Sequence, residues 1–190
     1  MTPAVFLDRD GTLIEEAGYL DRLDRVAIFP WTIDAIRLLR RAGFTVVVVT
    51  NQAGVAKGMF EEAFVNETHR FLDEKFAAAG ARIDGYYYCP HFAEASVERY
   101  RQACECRKPK PGMLHRAARD LGLALDRSFV VGDRWSDVEA AEAAGARGVL
   151  VKTGHGVIDA AHPRDGVKPA LVAANLMEAT AWILREPRCA

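Results

Sequence analysis

The 190-residue chain predicts an open, doubly wound parallel α/β sheet, and three observations carry that reading. Its short apolar runs are continuous instead of alternating, as in strands covered on both faces. Stretches with helical spacing lie between those runs. Glycines stand where the helical stretches should stop.

Taken in order, the first run is Ala4–Leu7 and the second Thr45–Val49; between them Ile33, Ile36, Leu38, Leu39 and Ala42 form one helical stripe that Gly43 closes. A second helix is expected from Glu61 to about Ala79, before Gly80. Tyr86–Tyr88 is a further strand candidate. A third helix follows Pro111 and ends near Gly122, and the strand Phe129–Val131 comes next. A helix from about Ser136 to Ala144, the strand Val149–Val151 and a last helix over Leu171–Leu184 complete the chain. No internal repeat, low-complexity tract or linker interrupts the alternation, so residues 1–190 read as one domain. Two connections are long for such a fold, residues 11–30 and 90–110, and long loops of this kind are usually functional.

Half the residues are hydrophobic and 27% are charged, an ordinary globular composition. The formal net charge of -1 argues against nucleic acid as a partner while leaving room for a local anion pocket. No apolar run approaches the roughly 20 residues of a membrane span, and the N-terminus enters a strand at once, with no signal-peptide pattern. A cytoplasmic protein without a membrane partner is expected, and nothing in the sequence demands more than a monomer.

Ligands of open α/β sheets bind beyond the carboxyl ends of the strands. There the first run leads into Asp8-Arg9-Asp10-Gly11-Thr12, the second into Thr50-Asn51-Gln52, and the fourth into Gly132-Asp133, with Asp137 four residues on. Asp8 and Asp10, two apart, leave an extended backbone on the same face. One can attack phosphorus while the other handles protons. Two carboxylates would repel a phosphate, so a hard cation such as Mg²⁺ is required, with Asp133 as a further ligand. A calcium loop starting at Asp8 fails, because Leu13 and Tyr19 fall where a glycine and a glutamate are needed. No GxxxxGK[ST] segment is present, which excludes a P-loop.

The set FLDRDGT, VVVVTNQ, RKPKPG and VVGDRWSD resembles the four motifs of the haloacid dehalogenase-like (HAD) phosphohydrolases, in the same order and at the same strand ends. The resemblance covers about Val5 to Val151. It implies Asp8 as nucleophile, Asp10 as general acid/base, and Thr50 and Lys108 as ligands of the transferring phosphoryl group. It further implies Mg²⁺ held by Asp8, the Asp10 backbone carbonyl and Asp133. Asp137 has three open readings: orienting Lys108, holding a metal-bound water, or opening the next helix.

Cys89-x-His91, a twelve-residue spacer and Cys104-x-Cys106 supply four soft or borderline ligands, the complement of a closed structural Zn²⁺ site. A CxH…CxC loop directly before RKPxPG resembles the branch of the family that holds the heptose bisphosphate phosphatases and the related histidinol-phosphatases. Gly18-Tyr19-Leu20, the TNQAGVAKG segment and the YYYCPH approach are more similar to the heptose group. That implies a small phosphorylated sugar as substrate, with removal of the 7-phosphate. Tyr19, Asn51, Gln52, Lys57, Arg107 and Arg134 are the expected substrate contacts beside Thr50 and Lys108. Neither long connection is large enough for a separate cap domain, so an uncapped core is expected. His69, His115, His155 and His162 are expected on solvated faces or loops, and Cys189 as a free thiol in the tail.

Overall fold

The computed structural model describes residues 1–186. Six parallel strands form one sheet: β1 (Thr2–Leu7), β2 (Thr45–Asn51), β3 (Gly85–Cys89), β4 (Leu123–Gly132), β5 (Arg147–Val151) and β6 (Leu171–Ala173). Their spatial order is β3-β2-β1-β4-β5-β6. The chain therefore winds outward in one direction from β1 through β2 to β3 and in the other from β4 to β6. The reversal falls between β1 and β4, which is where such sheets open a ligand crevice.

The helices are α1 (Thr32–Arg41), α2 (Ala53–Ala56), α3 (Glu62–Ala78), α4 (Gly112–Leu121), α5 (Trp135–Ala143), α6 (Gly156–Ala161) and α7 (Leu176–Ile183). Alternate residues of each central strand feed two separate cores. Val5, Leu7, Val46 and Val48 pack with Leu39, Leu72 and Phe76 on one face. Ala4, Phe6, Val47 and Val49 pack with Leu114, Ala117 and Ala140 on the other. With both faces covered, the middle of each of these strands is apolar on both sides and polar residues fall at the strand ends, which explains the unbroken apolar runs.

Three expectations need correction. Leu171–Ala173 is the edge strand β6, paired with β5, and the helix starts only after Asn175. The Asn175 side chain accepts hydrogen bonds from the Met177 and Glu178 N–H groups at 3.0 and 3.1 Å, so it is the N-cap that separates the two elements. β4 is longer than Phe129–Val131, because Leu123 and Ala124 already pair with Thr2 and Pro3 before a register shift. Leu38 leaves the α1 stripe and is 38% exposed; Ala35, Ile36 and Leu39 carry the buried face.

Residues 11–30 and 90–110 form loops with a single 3₁₀ turn each, Leu23–Arg25 and Glu98–Tyr100, and no domain of their own. Cys189 lies outside the described residues. No helix among them is long and apolar enough to cross a membrane.

Candidate active site

Three neighbouring strand ends and the loop after β3 converge on a crevice of about 590 Å³. β1 delivers Asp8 and Asp10, β2 Thr50 to Gln52, and β4 Asp133 and Arg134. The loop after β3 brings Arg107 and Lys108, and Tyr19 closes one side. These residues are up to 126 positions apart in sequence, and only the parallel register of adjacent strands places them side by side.

Lys108 sits at the centre. Its ammonium lies 3.0 Å from Asp8 Oδ1 and 2.5 Å from Asp137 Oδ1, and donates to the Val49 carbonyl at 2.8 Å. Burial works against its charge, but the Asp137 and Asp8 carboxylates prevail and hold the lysine pKa above its usual range. Its backbone is fixed by Asn51, whose side-chain amide donates to the Lys108 carbonyl at 3.0 Å and accepts from the Lys108 N–H at 3.1 Å. Asn51 thus lines the crevice as a brace for Lys108, with both the NH2 and the oxygen of its side-chain amide engaged there.

Gln52 is also a connector. Its Nε2 donates to Asp10 Oδ2 and to Thr50 Oγ1, both at 2.8 Å. On the other side of Asp10, the buried Arg9 guanidinium donates to both carboxylate oxygens, the shortest contact being 2.9 Å. Sequence reasoning passed over Arg9 although it sits between the two aspartates. Asp137 settles two of its three readings together: one oxygen meets Lys108, and the other accepts the Arg134 N–H at 3.1 Å to start α5.

Asp8, Asp133 and Asp137 bring carboxylate oxygens within 4.8 Å of one another. Burial pushes Asp8 up to about 7, against the pull of Lys108 and with help from Asp137 and Asp10. Burial, Asp8 and Asp137 push Asp133 up to about 8. An added cation would favour the charged forms of Asp8 and Asp133, so the donor set fits a hard divalent ion. Gly11 shows how tight the cluster is: at φ 79° a Cβ there would stand 2.2 Å from Asp133 Oδ2, so only glycine allows β1 and Asp133 to meet.

One histidine departs from expectation, and another, on a loop as expected, turns out to line the crevice. His69 is buried on α3, stacked on Tyr86 with ring centroids 4.8 Å apart, and burial lowers its pKa to about 3, which keeps it neutral. His155 lines the crevice; its backbone N–H donates to Asp133 Oδ2 at 2.7 Å and its ring lies 3.4 Å from Glu16. The rule that strand ends carry ligands, applied to β5 as it was to β1, β2 and β4, would have found His155. Lys57 departs as well. It is absent from the crevice lining and donates from its ammonium to the Tyr19 hydroxyl at 2.6 Å.

Cys89, His91, Cys104 and Cys106 also come together, their four ligand atoms within 4.8 Å of one another. The closest pair, Cys106 Sγ and Cys89 Sγ, is 3.1 Å apart, and His91 Nδ1 stands 3.3 Å from Cys106 Sγ. Burial pushes the Cys89 and Cys106 thiols above their usual range, so three adjacent thiolates need a compensating cation. Three thiols and one imidazole in a closed cluster fit Zn²⁺. Gly112 ties this knuckle to α4: its N–H donates to the Glu105 carbonyl at 2.9 Å, and a Cβ there would stand 2.3 Å from that oxygen.

Residues 105–179 match the model of a HAD-hydrolase-like family. The chain is 46% identical over 153 residues, 80% of each chain, to the D-glycero-beta-D-manno-heptose-1,7-bisphosphate 7-phosphatase of Escherichia coli K12. It is 47% identical over 146 residues to the protein of that name from Rhodopseudomonas palustris, covering 77% of this chain and 81% of the relative. Among solved structures, a D,D-heptose 1,7-bisphosphate phosphatase from B. bronchiseptica complexed with magnesium and phosphate superposes with a TM-score of 0.86. The two are 32% identical, with 97% and 99% of the chains covered. A heptose bisphosphate phosphatase from Burkholderia thailandensis gives a TM-score of 0.72 at 28% identity, with the same coverage.

Proposed function

This chain belongs to the HAD-like heptose-bisphosphate phosphatase family, and on that premise we propose that it removes the 7-phosphate of D-glycero-D-manno-heptose 1,7-bisphosphate through an aspartyl-phosphate on Asp8. The observation that carries the reading is the Lys108 ammonium, 3.0 Å from Asp8 Oδ1 and anchored by Asp137. A buried cation beside the nucleophile is placed to neutralise phosphoryl oxygens as charge develops on them.

In this reading Asp8 attacks phosphorus while Lys108 and the Thr50 hydroxyl hold the non-bridging oxygens. Asp10, steadied by Arg9 and Gln52, gives a proton to the departing sugar oxygen. It then takes one from the water that cleaves the acyl phosphate. The Asp8 and Asp133 carboxylates and the Asp10 carbonyl would hold Mg²⁺, which would supply neutralisation of negative charge. Cys89, His91, Cys104 and Cys106 would hold Zn²⁺, which would supply no chemistry and would fix the loop that carries Arg107 and Lys108. Arg107 and Arg134, both in the crevice, face the part of the substrate that does not react.

The test is phosphate release from heptose 1,7-bisphosphate and from histidinol phosphate, side by side with Mg²⁺. Faster turnover of the heptose is expected. Faster turnover of histidinol phosphate would overturn the substrate, and turnover of neither would favour a protein that only binds phosphorylated ligands.

A further inference from the structure

Four cations of the crevice are held in two different ways. Arg9 pairs with Asp10, Lys108 with Asp8 and Asp137, and Arg164 with Glu139. Arg107 meets no carboxylate among the described residues. Its guanidinium carbon instead lies 5.2 Å from the centroid of the Phe92 ring, and its Nη1 donates to the His91 carbonyl at 3.3 Å. An aromatic face attracts a cation without neutralising it, whereas a carboxylate cancels its charge for any incoming anion.

Phe92 has a second cation. Lys57 Nζ stands 5.0 Å from the same ring centroid and donates to the Tyr19 hydroxyl at 2.6 Å. Its 5.2 Å to the Tyr19 centroid is close to the sum of that bond and the ring-to-hydroxyl span. The ammonium therefore lies off the end of the phenol, so its aromatic contact is with Phe92. Tyr19 follows β1, Lys57 follows β2, and Phe92 and Arg107 follow β3, so one chain of contacts joins three strand-end loops. The Phe92 ring is itself seated on a small core of Val55, Ala56, Val65, Ala95 and Tyr100. Its N–H donates to the Tyr100 carbonyl at 3.1 Å.

We propose that Phe92 is a specificity-determining positioning residue: its ring holds Arg107 aimed into the crevice with its charge unspent, ready for the non-reacting anionic group of the substrate. This rests on the bisphosphate reading above, and acts through Arg107 alone. Lys57 serves as the tie that keeps Tyr19 and the ring in place. The zinc knuckle fixes the backbone, and Phe92, next to its ligand His91, fixes the side-chain direction.

The experiment compares Phe92→Leu, which keeps an apolar side chain without an aromatic face, with Phe92→Trp, which restores one. For heptose 1,7-bisphosphate, Phe92→Leu should raise KM about three- to tenfold with kcat nearly unchanged. For p-nitrophenyl phosphate, which carries no second anion, kcat/KM should change by less than about twofold. Phe92→Trp should recover the bisphosphate KM. Combined with Arg107→Gln, Phe92→Leu should add nothing further, since both act on one contact.

A second readout needs no sugar substrate. The Arg107 Nε–H resonance, assigned by its loss in Arg107→Lys, lies in the ring current of Phe92 and should shift in Phe92→Leu. Equal losses on both substrates, additive effects with Arg107→Gln, or an unmoved Arg107 resonance would each overturn the proposal. If the wild-type protein does not hydrolyse heptose bisphosphate, the substrate reading fails while the resonance still decides whether Phe92 orients Arg107.

Discussion

Replacing Lys108 with Met removes the only cation that Asp8 and Asp137 share at contact distance among the described residues. The Lys108 and Asp137 side chains are 2% and 1% exposed, and Asp8 is 14% exposed, so water does little to replace the lost ammonium. Breaking a buried ion pair from one side costs about 3–5 kcal/mol. For a domain of this size that corresponds to a fall in Tm of about 6–20 °C. The cost depends on pH. Asp8 stands at about 7 with Lys108 lowering it, so without the ammonium it takes a proton more readily still. A carboxyl that is neutral in the folded protein needs no cation, so the destabilisation should be largest near pH 8 and shrink to about 1–2 kcal/mol near pH 5.5. The assay is thermal unfolding in metal-free buffer at both pH values, with Lys108→Met/Asp137→Asn alongside. The double variant should regain at least half the lost stability and remain inactive, because the charge needed by the phosphoryl group is still missing. A loss at pH 8 below about 1 kcal/mol, a loss that does not shrink on acidification, or a double variant no more stable than the single would refute the reasoning.

Asp8→Asn should leave the thermal unfolding of the Mg²⁺-free protein no lower than wild type and reduce phosphate release by about 10⁴-fold or more; substantial remaining turnover would exclude Asp8 as nucleophile. Asp8 and Asp133, at about 7 and about 8, both lie above the ordinary 3.8. Between 3.8 and about 8 the folded metal-free protein therefore binds more protons than the unfolded chain, and its stability falls as pH rises. Mg²⁺ displaces those protons, so calorimetric titration should find it binding about tenfold tighter or more at pH 8 than at pH 6; equal affinities would contradict the crowded-carboxylate cluster. Elemental analysis of purified protein should find about one zinc per chain. Cys106→Ala should lose both zinc and phosphatase activity. Full activity without zinc would separate the knuckle from Lys108.

Much of the site was legible because each chemical group sits at the end of an apolar run. Asp8, Thr50 and Asp133 were found that way, and CxH…CxC before RKPKPG announced the knuckle next to Lys108. What escaped has a common cause. The roles of Asn51, Gln52 and Phe92 are defined by partners 57, 42 and 15 residues away, and no local pattern records such a distance. His69 reads as a polar residue on a helix until Tyr86 arrives to cover it. β6 was mistaken for helix because three apolar residues carry no usable period, and its strand character comes only from pairing with β5.

The sequence alone determined the strand–helix alternation, the chemical inventory of carboxylates, cations and soft ligands, and the strand ends that bear them, since these follow from local periodicity and residue type. Tertiary structure decided the rest. Parallel register brings Asp8 and Asp133 together across the point where the winding reverses, and burial there raises their pKa values. Lys108 and Arg107 look alike in RKPKPG. In the fold one is neutralised by two carboxylates and the other is held on an aromatic ring. A cation's function depends on how much of its charge the surrounding groups leave free, and those groups come from distant parts of the chain.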